Sequence, residues 1–175
     1  YRAAVIVFDV HFADHKEAED DQLFAEAISK AGNVILVERL LRRRLDATGK
    51  SADFQPVDLE VLVSPIPVLA ESSLALAPFP LPKVPFRVNQ AWTFKTSMGD
   101  IPTLPVVALQ ALALARNENT FRCMQEIAPA EFDGFPHSVE EMITETGLVE
   151  TMRKIRGNFQ RGATFSPETA ALSEP

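Results

Sequence analysis

The sequence predicts an α/β fold, a single domain with a mostly parallel or mixed sheet flanked by helices. The run at residues 3–8 is apolar, rich in β-branched residues and typical of a strand buried on both faces, and residues 33–38 form a second apolar strand. Between them, apolar residues recur at helical spacing from Leu23 to Ala31, and Gly32 is a good helix stop. This order predicts a right-handed βαβ unit at the N-terminus, with its two strands parallel and close together in one sheet.

The middle of the chain is marked mainly by its prolines and charges. Residues 39–58 are polar, include the run RLLRRR, and predict a solvated loop or exposed helical turn. Residues 65–76 carry proline in what reads as the first turn of a short helix. Four prolines within residues 78–85 predict an extended connector. The rough alternation of residues 86–94 predicts a further strand, which a turn at residues 98–100 follows.

The C-terminal third of the chain has weaker patterns. Residues 103–115 form a strongly apolar segment that predicts a helix packed on the sheet, and the chain after Arg116 is irregular. Ser138 and Glu141 have the spacing of a capping box, so a helix should start there and be interrupted or ended at Gly147. From Gly157 onward a polar tail is expected. Residues 1–116 are therefore assigned to a core, and residues 117–175 to a helical extension of the same domain plus a tail.

Composition narrows the classes of function. The chain has 175 residues, 46% hydrophobic content and a net charge of −7, which argues against a general nucleic-acid binder and against attraction to an anionic membrane. A single cysteine rules out an internal disulfide, and no segment is apolar enough over its length to span a bilayer. Because the sequence starts at Tyr1 without an initiator Met or signal peptide, a piece of a longer protein is expected.

The polar residues behind the first strand raise the question of catalysis. Asp9-x-His11 is the first half of a metallophosphoesterase signature, and Gly99-Asp100 and Gly157-Asn158 follow in the required order. Phe159, however, stands where that signature needs a histidine ligand. A haloacid-dehalogenase pattern would need Asp-x-Asp, and His11 replaces its second aspartate. We therefore predict no catalytic residues, metal or cofactor, and interpret Asp9 and its neighbours as shaping the end of the strand.

A resemblance to a known family begins in the same stretch. The residues that carry it are Val5-Ile6-Val7-Phe8-Asp9-Val10, Phe12, Asp20-Asp21, Leu23, Ala27, Ala31-Gly32-Asn33-Val34-Ile35-Leu36, the Pro65-Ile66-Pro67 helix start, Val88-Asn89, Pro102, Pro105, Leu109 and Ala113. Together they resemble the second type of CHASE domain, the cyclase/histidine-kinase-associated sensory extracellular domain, over residues 3–116. FKTSMGD, residues 94–100, stands where that family has an Asp-x-Asp-Gly turn followed by Val-Arg.

The resemblance implies an extracytoplasmic sensory domain of a bacterial membrane receptor, attached to the membrane through segments outside this chain. The cytoplasmic output would be an adenylate or guanylate cyclase, or a histidine or serine/threonine kinase. The expected partner is an unidentified small-molecule or environmental signal. A homodimer is compatible with the resemblance, and no nucleic acid is expected. Two alternatives stay open, a metallophosphoesterase-like hydrolase of small molecules and a purely structural dimerisation module.

Four residues are predicted to contact the signal. Ligands of α/β folds usually bind in a crevice at the carboxyl ends of the strands, which places Asp9 at its edge. The predicted strand at residues 86–94 and its end supply Arg87, Asn89 and Lys95, whose side chains can donate hydrogen bonds to an anionic ligand.

Overall fold

The computed structural model describes residues 3–45, 57–81, 91–116, 120–127 and 133–160. The strands in these ranges are β1 (Ile6–Phe8), β2 (Val34–Leu45), β3 (Val57–Val63), β4 (Ala75–Pro78), β5 (Phe94–Lys95) and β6 (Ile101–Pro102). The helices are α1 (Ala18–Ala31), α2 (Pro67–Ser72), α3 (Leu104–Arg116), α4 (Thr120–Ile127), α5 (Val139–Glu141, continued by a π-helical turn, Met142–Thr146) and α6 (Leu148–Gln160).

The centre of the fold is a three-stranded parallel arrangement around the first half of β2. On one side β1 pairs with it from Ile6 opposite Val34 to Phe8 opposite Leu36, and on the other β4 pairs with it in parallel as well. The predicted α/β class, the N-terminal βαβ unit and the parallel pairing of its two strands are therefore confirmed.

Alternate side chains of β2 face two different helical layers. Val34 and Leu36 pack into a cluster with residues of α1 and α2, whereas Ile35 and Val37 pack into a cluster with residues of α3 and α6. Ile35 and Leu36 are fully buried, as expected for the central strand of a sheet covered on both faces. The core thus has three layers, helices, sheet and helices.

The first strand is not buried on both faces, and that prediction was wrong. Ile6 is 36% exposed and Val7 is 41% exposed, because β1 is the edge strand and pairs only with β2 among the described residues. Its last residue, Phe8, is half-buried and packs edge-to-face against Phe24 of α1, with ring centroids 5.8 Å apart. An apolar run by itself does not distinguish a central strand from an edge strand.

The prediction of a loop at residues 39–58 is also wrong for the part that the structure describes, residues 39–45 and 57–58. β2 continues through the basic run to Leu45 and forms an antiparallel hairpin with β3. Arg42 lies opposite Glu60, and Arg44 lies opposite Asp58. Opposite charges in facing positions stabilise a strand pair, so the basic run is compatible with a strand once an acidic partner strand lies beside it.

Further differences follow from the same dependence on partners. The short helix predicted at residues 65–76 is confirmed only as α2, since the chain then enters β4, whose Pro78 was expected to start a connector. Of the strand predicted at 86–94, residues 86–90 lie outside the described ranges and residues 91–93 belong to no strand. Only residue 94 lies in a strand, β5. The chain after Arg116 includes α4, and α6 continues past Gly157 to Gln160, so the predicted tail does not start at Gly157; residues 161–175 lie outside the described ranges.

The predicted helix signals are confirmed. Gly32 ends α1 with φ of 67°, a left-handed conformation that glycine adopts without a steric penalty. The Ser138 hydroxyl accepts a hydrogen bond from the Glu141 amide at 3.1 Å, and the Glu141 carboxylate accepts one from the His137 amide at 2.8 Å. Gly147 separates the π-helical turn from α6. No helix within the described ranges is both long and apolar enough to cross a membrane.

Candidate functional site

A polar cleft lies where the three parallel strands end. Asp9 follows β1, Glu38 is the last residue of the parallel part of β2, and Phe79 follows β4, and all three residues line a cavity of about 540 Å³. The carboxyl ends of parallel strands are the usual place for ligands in α/β sheets, because the chain leaves the sheet there and frees space between its connections. We refer to this cavity as the strand-end cleft.

Two structural elements form the walls of the strand-end cleft. The β2–β3 hairpin contributes Leu40, Leu41, Arg42 and Glu60. The opposite wall includes Trp92 and Lys95, which precede and belong to β5. The cleft therefore lies between the hairpin and the small β5–β6 sheet, and a relative displacement of the two would change its width.

Glu60 joins the two walls. Its carboxylate accepts a hydrogen bond from the Ser97 hydroxyl at 2.5 Å, lies 3.2 Å from Lys95 Nζ and lies 3.2 Å from Arg42 Nε. The Glu60 and Lys95 side chains are only 13% and 12% exposed, so this ion pair is shielded from water more than a surface pair. Glu60 thus links the hairpin to β5 and to the turn after it.

Trp92 and Lys95 are held in place by a second set of contacts. Lys95 Nζ lies over the Trp92 ring, 4.7 Å from its centroid, which is within the range of a cation–π interaction. The buried Thr103 hydroxyl donates a hydrogen bond to the Trp92 carbonyl at 2.5 Å, and the Thr103 amide bonds the Thr93 carbonyl at 3.0 Å. These bonds fix the chain that carries Trp92 against the start of α3.

The charged side chains of the strand-end cleft fall into paired and unpaired groups. Glu38 accepts a hydrogen bond from the Ser64 hydroxyl at 2.8 Å, and Glu60 is bonded as described. The side chains of Asp9 and Arg39 are exposed and make no hydrogen bond or ion pair within the described part of the chain. As far as the described residues show, the Asp9 carboxylate and the Arg39 guanidinium are therefore available to a charged molecule that enters the cleft.

Two of the four residues predicted to contact the signal lie within the described ranges. Asp9 and Lys95, which are 86 positions apart in the sequence, do line the same cleft. Arg87 and Asn89 lie outside the described residues. Sequence reasoning missed Arg42 and Glu60 as members, because both belong to the hairpin. The period-two pattern of β3, VDLEVLV, was the signal that could have revealed them.

The histidines of the opening cluster have structural contacts. His11 Nε2 lies 2.9 Å from the Val63 carbonyl, and because a carbonyl only accepts, this nitrogen carries the proton. His11 therefore ties the segment after β1 to the end of β3. His15 Nδ1 lies 3.2 Å from the Asp21 carboxylate, which also accepts a bond from the Lys16 amide just before α1.

The candidate metal ligands are divided between two places. Asp9 and His11 line the strand-end cleft, whereas Gly99, Asp100, Gly157 and Asn158 line a different cavity. Within the described residues, no group of three or more His, Cys, Asp or Glu side chains is arranged to hold a metal ion. The elements of the metallophosphoesterase signature thus do not converge on one cavity.

The environment of Glu60 predicts a pH-dependent contribution to stability. The Ser97 hydrogen bond is the main cause that lowers the pKa of Glu60 below 4.5; partial burial opposes it, and Lys95 and then Arg42 lower the pKa further. Because the folded pKa lies below the unfolded one, the stabilisation is fully present above the unfolded pKa. It is lost as pH falls through the folded pKa.

We expect Glu60→Gln to lower the free energy of unfolding by about 1–3 kcal/mol at neutral pH, since it replaces a charged acceptor. The deficit should shrink as the pH is lowered from about 5 to about 3. Urea unfolding, monitored by Trp92 fluorescence, measures this loss in the free energy of unfolding. Glu71→Gln, at an exposed position, is the matched control. An equal deficit at both pH values would contradict the assignment of Glu60 as the titrating group.

Comparison with known protein families, with curated proteins and with solved structures found no match for this chain.

Proposed function

We propose that this chain is the extracytoplasmic sensory domain of a bacterial membrane-bound receptor. In this proposal it is attached to the membrane through segments outside the chain. It regulates a cytoplasmic adenylate or guanylate cyclase, or a histidine or serine/threonine kinase. The similarity of residues 3–116 to the second type of CHASE domain motivates the setting. The observation that carries the role of ligand sensor is the strand-end cleft, where Asp9, Lys95 and Trp92 come together.

The chemistry of the strand-end cleft favours a small charged signal molecule. Its volume of about 540 Å³ lies within the range of small-molecule sites. Among the described residues Arg39 is unpaired and Lys95 has one carboxylate partner, Glu60, so both can donate to an anionic group. The Trp92 ring adds an apolar surface beside them, which suits a ligand with a short carbon skeleton.

A signal bound in the strand-end cleft would act through Glu60. An anionic group beside Lys95 competes with Glu60 for the ammonium, and this competition weakens the link between the hairpin and β5. A ligand shifts a conformational equilibrium only by the difference in its affinity for the two states. In one state of this domain the ion pair between Glu60 and Lys95 would join the hairpin to β5. In the other state this ion pair would be broken, and the ligand would favour that second state.

A second candidate function, a dimerisation module, is favoured by the exposed edge of the sheet. Ile6 and Val7 of β1 are exposed apolar residues, and the outer side of β1 has no strand paired to it within the described chain. Exposed apolar edge strands readily pair with strands of another chain. A dimer built on β1 would position two output domains without a ligand.

Replacing Lys95 by methionine in the full-length receptor separates the two functions. The substitution removes the cation that links Glu60 to β5, so the sensor proposal expects basal output to change by at least about fivefold, the lower end of typical allosteric coupling. Output is measured as cyclic nucleotide or phosphorylated product in the native host, and Lys30→Met, an exposed lysine on α1, is the control. Unchanged output from a folded Lys95→Met receptor would favour the dimerisation module.

A further inference from the structure

A second cavity lies on the other side of β5. It has a volume of about 430 Å³ and is bounded by α3, α4 and α6. Its apolar lining consists of Phe94, Val106, Met124, Met152 and Ile155. The two methionines are unbranched and adaptable, so this wall can adjust to ligands of somewhat different shape. We refer to this cavity as the interhelical cavity.

One hydrogen-bond donor of the interhelical cavity has no acceptor among the described residues. Arg156 Nε is buried and makes no hydrogen bond among the described residues, although it is an N–H donor. The rest of the guanidinium is engaged, because its Nη2 donates to Asp100 at 3.2 Å and its Cζ lies 4.3 Å from the centre of the Phe94 ring. Buried donors without acceptors are rare in folded proteins, so an acceptor is expected at Nε once the side chains that cover it move to admit a ligand.

The electrostatics of the interhelical cavity select against a charged ligand. Arg156 is the sole charged side chain in the described lining, and Asp100 already neutralises it at 3.2 Å. The other polar side chains of the lining are the amides of Gln110 and Gln160. Burying an additional carboxylate against a neutral ion pair and an apolar wall would cost its desolvation without a free countercharge.

We propose that the interhelical cavity binds a neutral, mainly apolar small molecule that carries one hydrogen-bond acceptor, such as the carbonyl of a ketone or ester, placed against Arg156 Nε. The apolar part lies against the methionines and Ile155. The volume falls within the range of known small-molecule sites. This site is separate from the strand-end cleft, and its existence does not depend on the proposed sensory role.

A matched pair of probes tests the charge selectivity. 2-Nonanone and nonanoate have the same number of carbon atoms and differ in the charge of the head group. Isothermal titration of the whole chain at pH 7 should give a dissociation constant at least about tenfold lower for 2-nonanone than for nonanoate. Binding of neither probe, or equal binding of both, would overturn the proposal.

Two substitutions test the location. Val106→Phe fills the interhelical cavity and should abolish binding of 2-nonanone. Arg156→Lys keeps the charge beside Asp100 but removes the Nε donor, and should weaken binding by about fivefold to tenfold. Arg153→Lys, a more exposed arginine of the same helix, is the control and should leave binding unchanged. If folded Arg156→Lys binds the ketone as tightly as the unsubstituted protein, the proposed contact is wrong.

Discussion

Leu36→Ala is expected to lower the free energy of unfolding by about 2–5 kcal/mol, the range for a leucine truncated in a packed core. Leu36 is fully buried in the central strand and packs with Ile28 of α1 and Leu69 of α2. The truncation removes its methyl groups from three elements at once and leaves a space that the sheet cannot close, because β2 is held by strands on both sides.

Urea unfolding of the purified chain, followed by far-UV circular dichroism, measures this loss. Leu23→Ala is the matched control, since Leu23 of α1 is 64% exposed and its truncation should cost under about 1 kcal/mol. The two variants have the same chemistry and differ only in burial. Equal losses for both would show that β2 is not the central buried strand.

Met142→Ala should have the second largest effect on stability, about 2–5 kcal/mol. Met142 is 1% exposed and belongs to the same core cluster as Ile35 of β2 and Val107 of α3. The segment after residue 116 therefore contributes side chains to the core beneath the sheet. We expect it to unfold together with the sheet in one cooperative transition.

The test follows two probes of the same unfolding reaction. Fluorescence of Trp92, the one tryptophan of the chain, reports on the strand-end cleft, and far-UV circular dichroism reports on all helices. Met142→Ala should shift both transitions to lower urea by the same amount, whereas Ile143→Ala, at a 48% exposed neighbour, should shift neither appreciably. Two separated transitions would indicate that the C-terminal segment folds apart from the sheet.

Local patterns predicted the features that depend on neighbours along the chain. The apolar run ending at Phe8, the helix up to Gly32 and the following strand were predicted as a parallel βαβ unit, and the pairing of Ile6 with Val34 confirms it. The capping box at Ser138 was also predicted, since a cap is formed by residues three positions apart. The periodicity of α3 is equally local.

Features that depend on distant partners were missed. The run from Arg39 to Leu45 became a strand because Asp58 and Glu60 of β3 lie opposite its arginines, and a strand's hydrogen bonds and charge pairs come from another segment. The exposure of Ile6 and Val7 was decided in the same way, by the absence of a second pairing strand among the described residues. Neither property can be read from the residues of that segment alone, because each depends on which other segment lies beside it.

The candidate sites show the same division. The sequence by itself determined that a strand ends just before Asp9 and that the end should be polar, because chain direction and hydrophobic pattern fix where an apolar strand stops. Only the tertiary structure decided that Lys95 and Glu60 meet across that end, and that Arg156 Nε is buried without an acceptor. Those contacts join residues far apart in the chain, so packing alone sets their distances and their exposure to water.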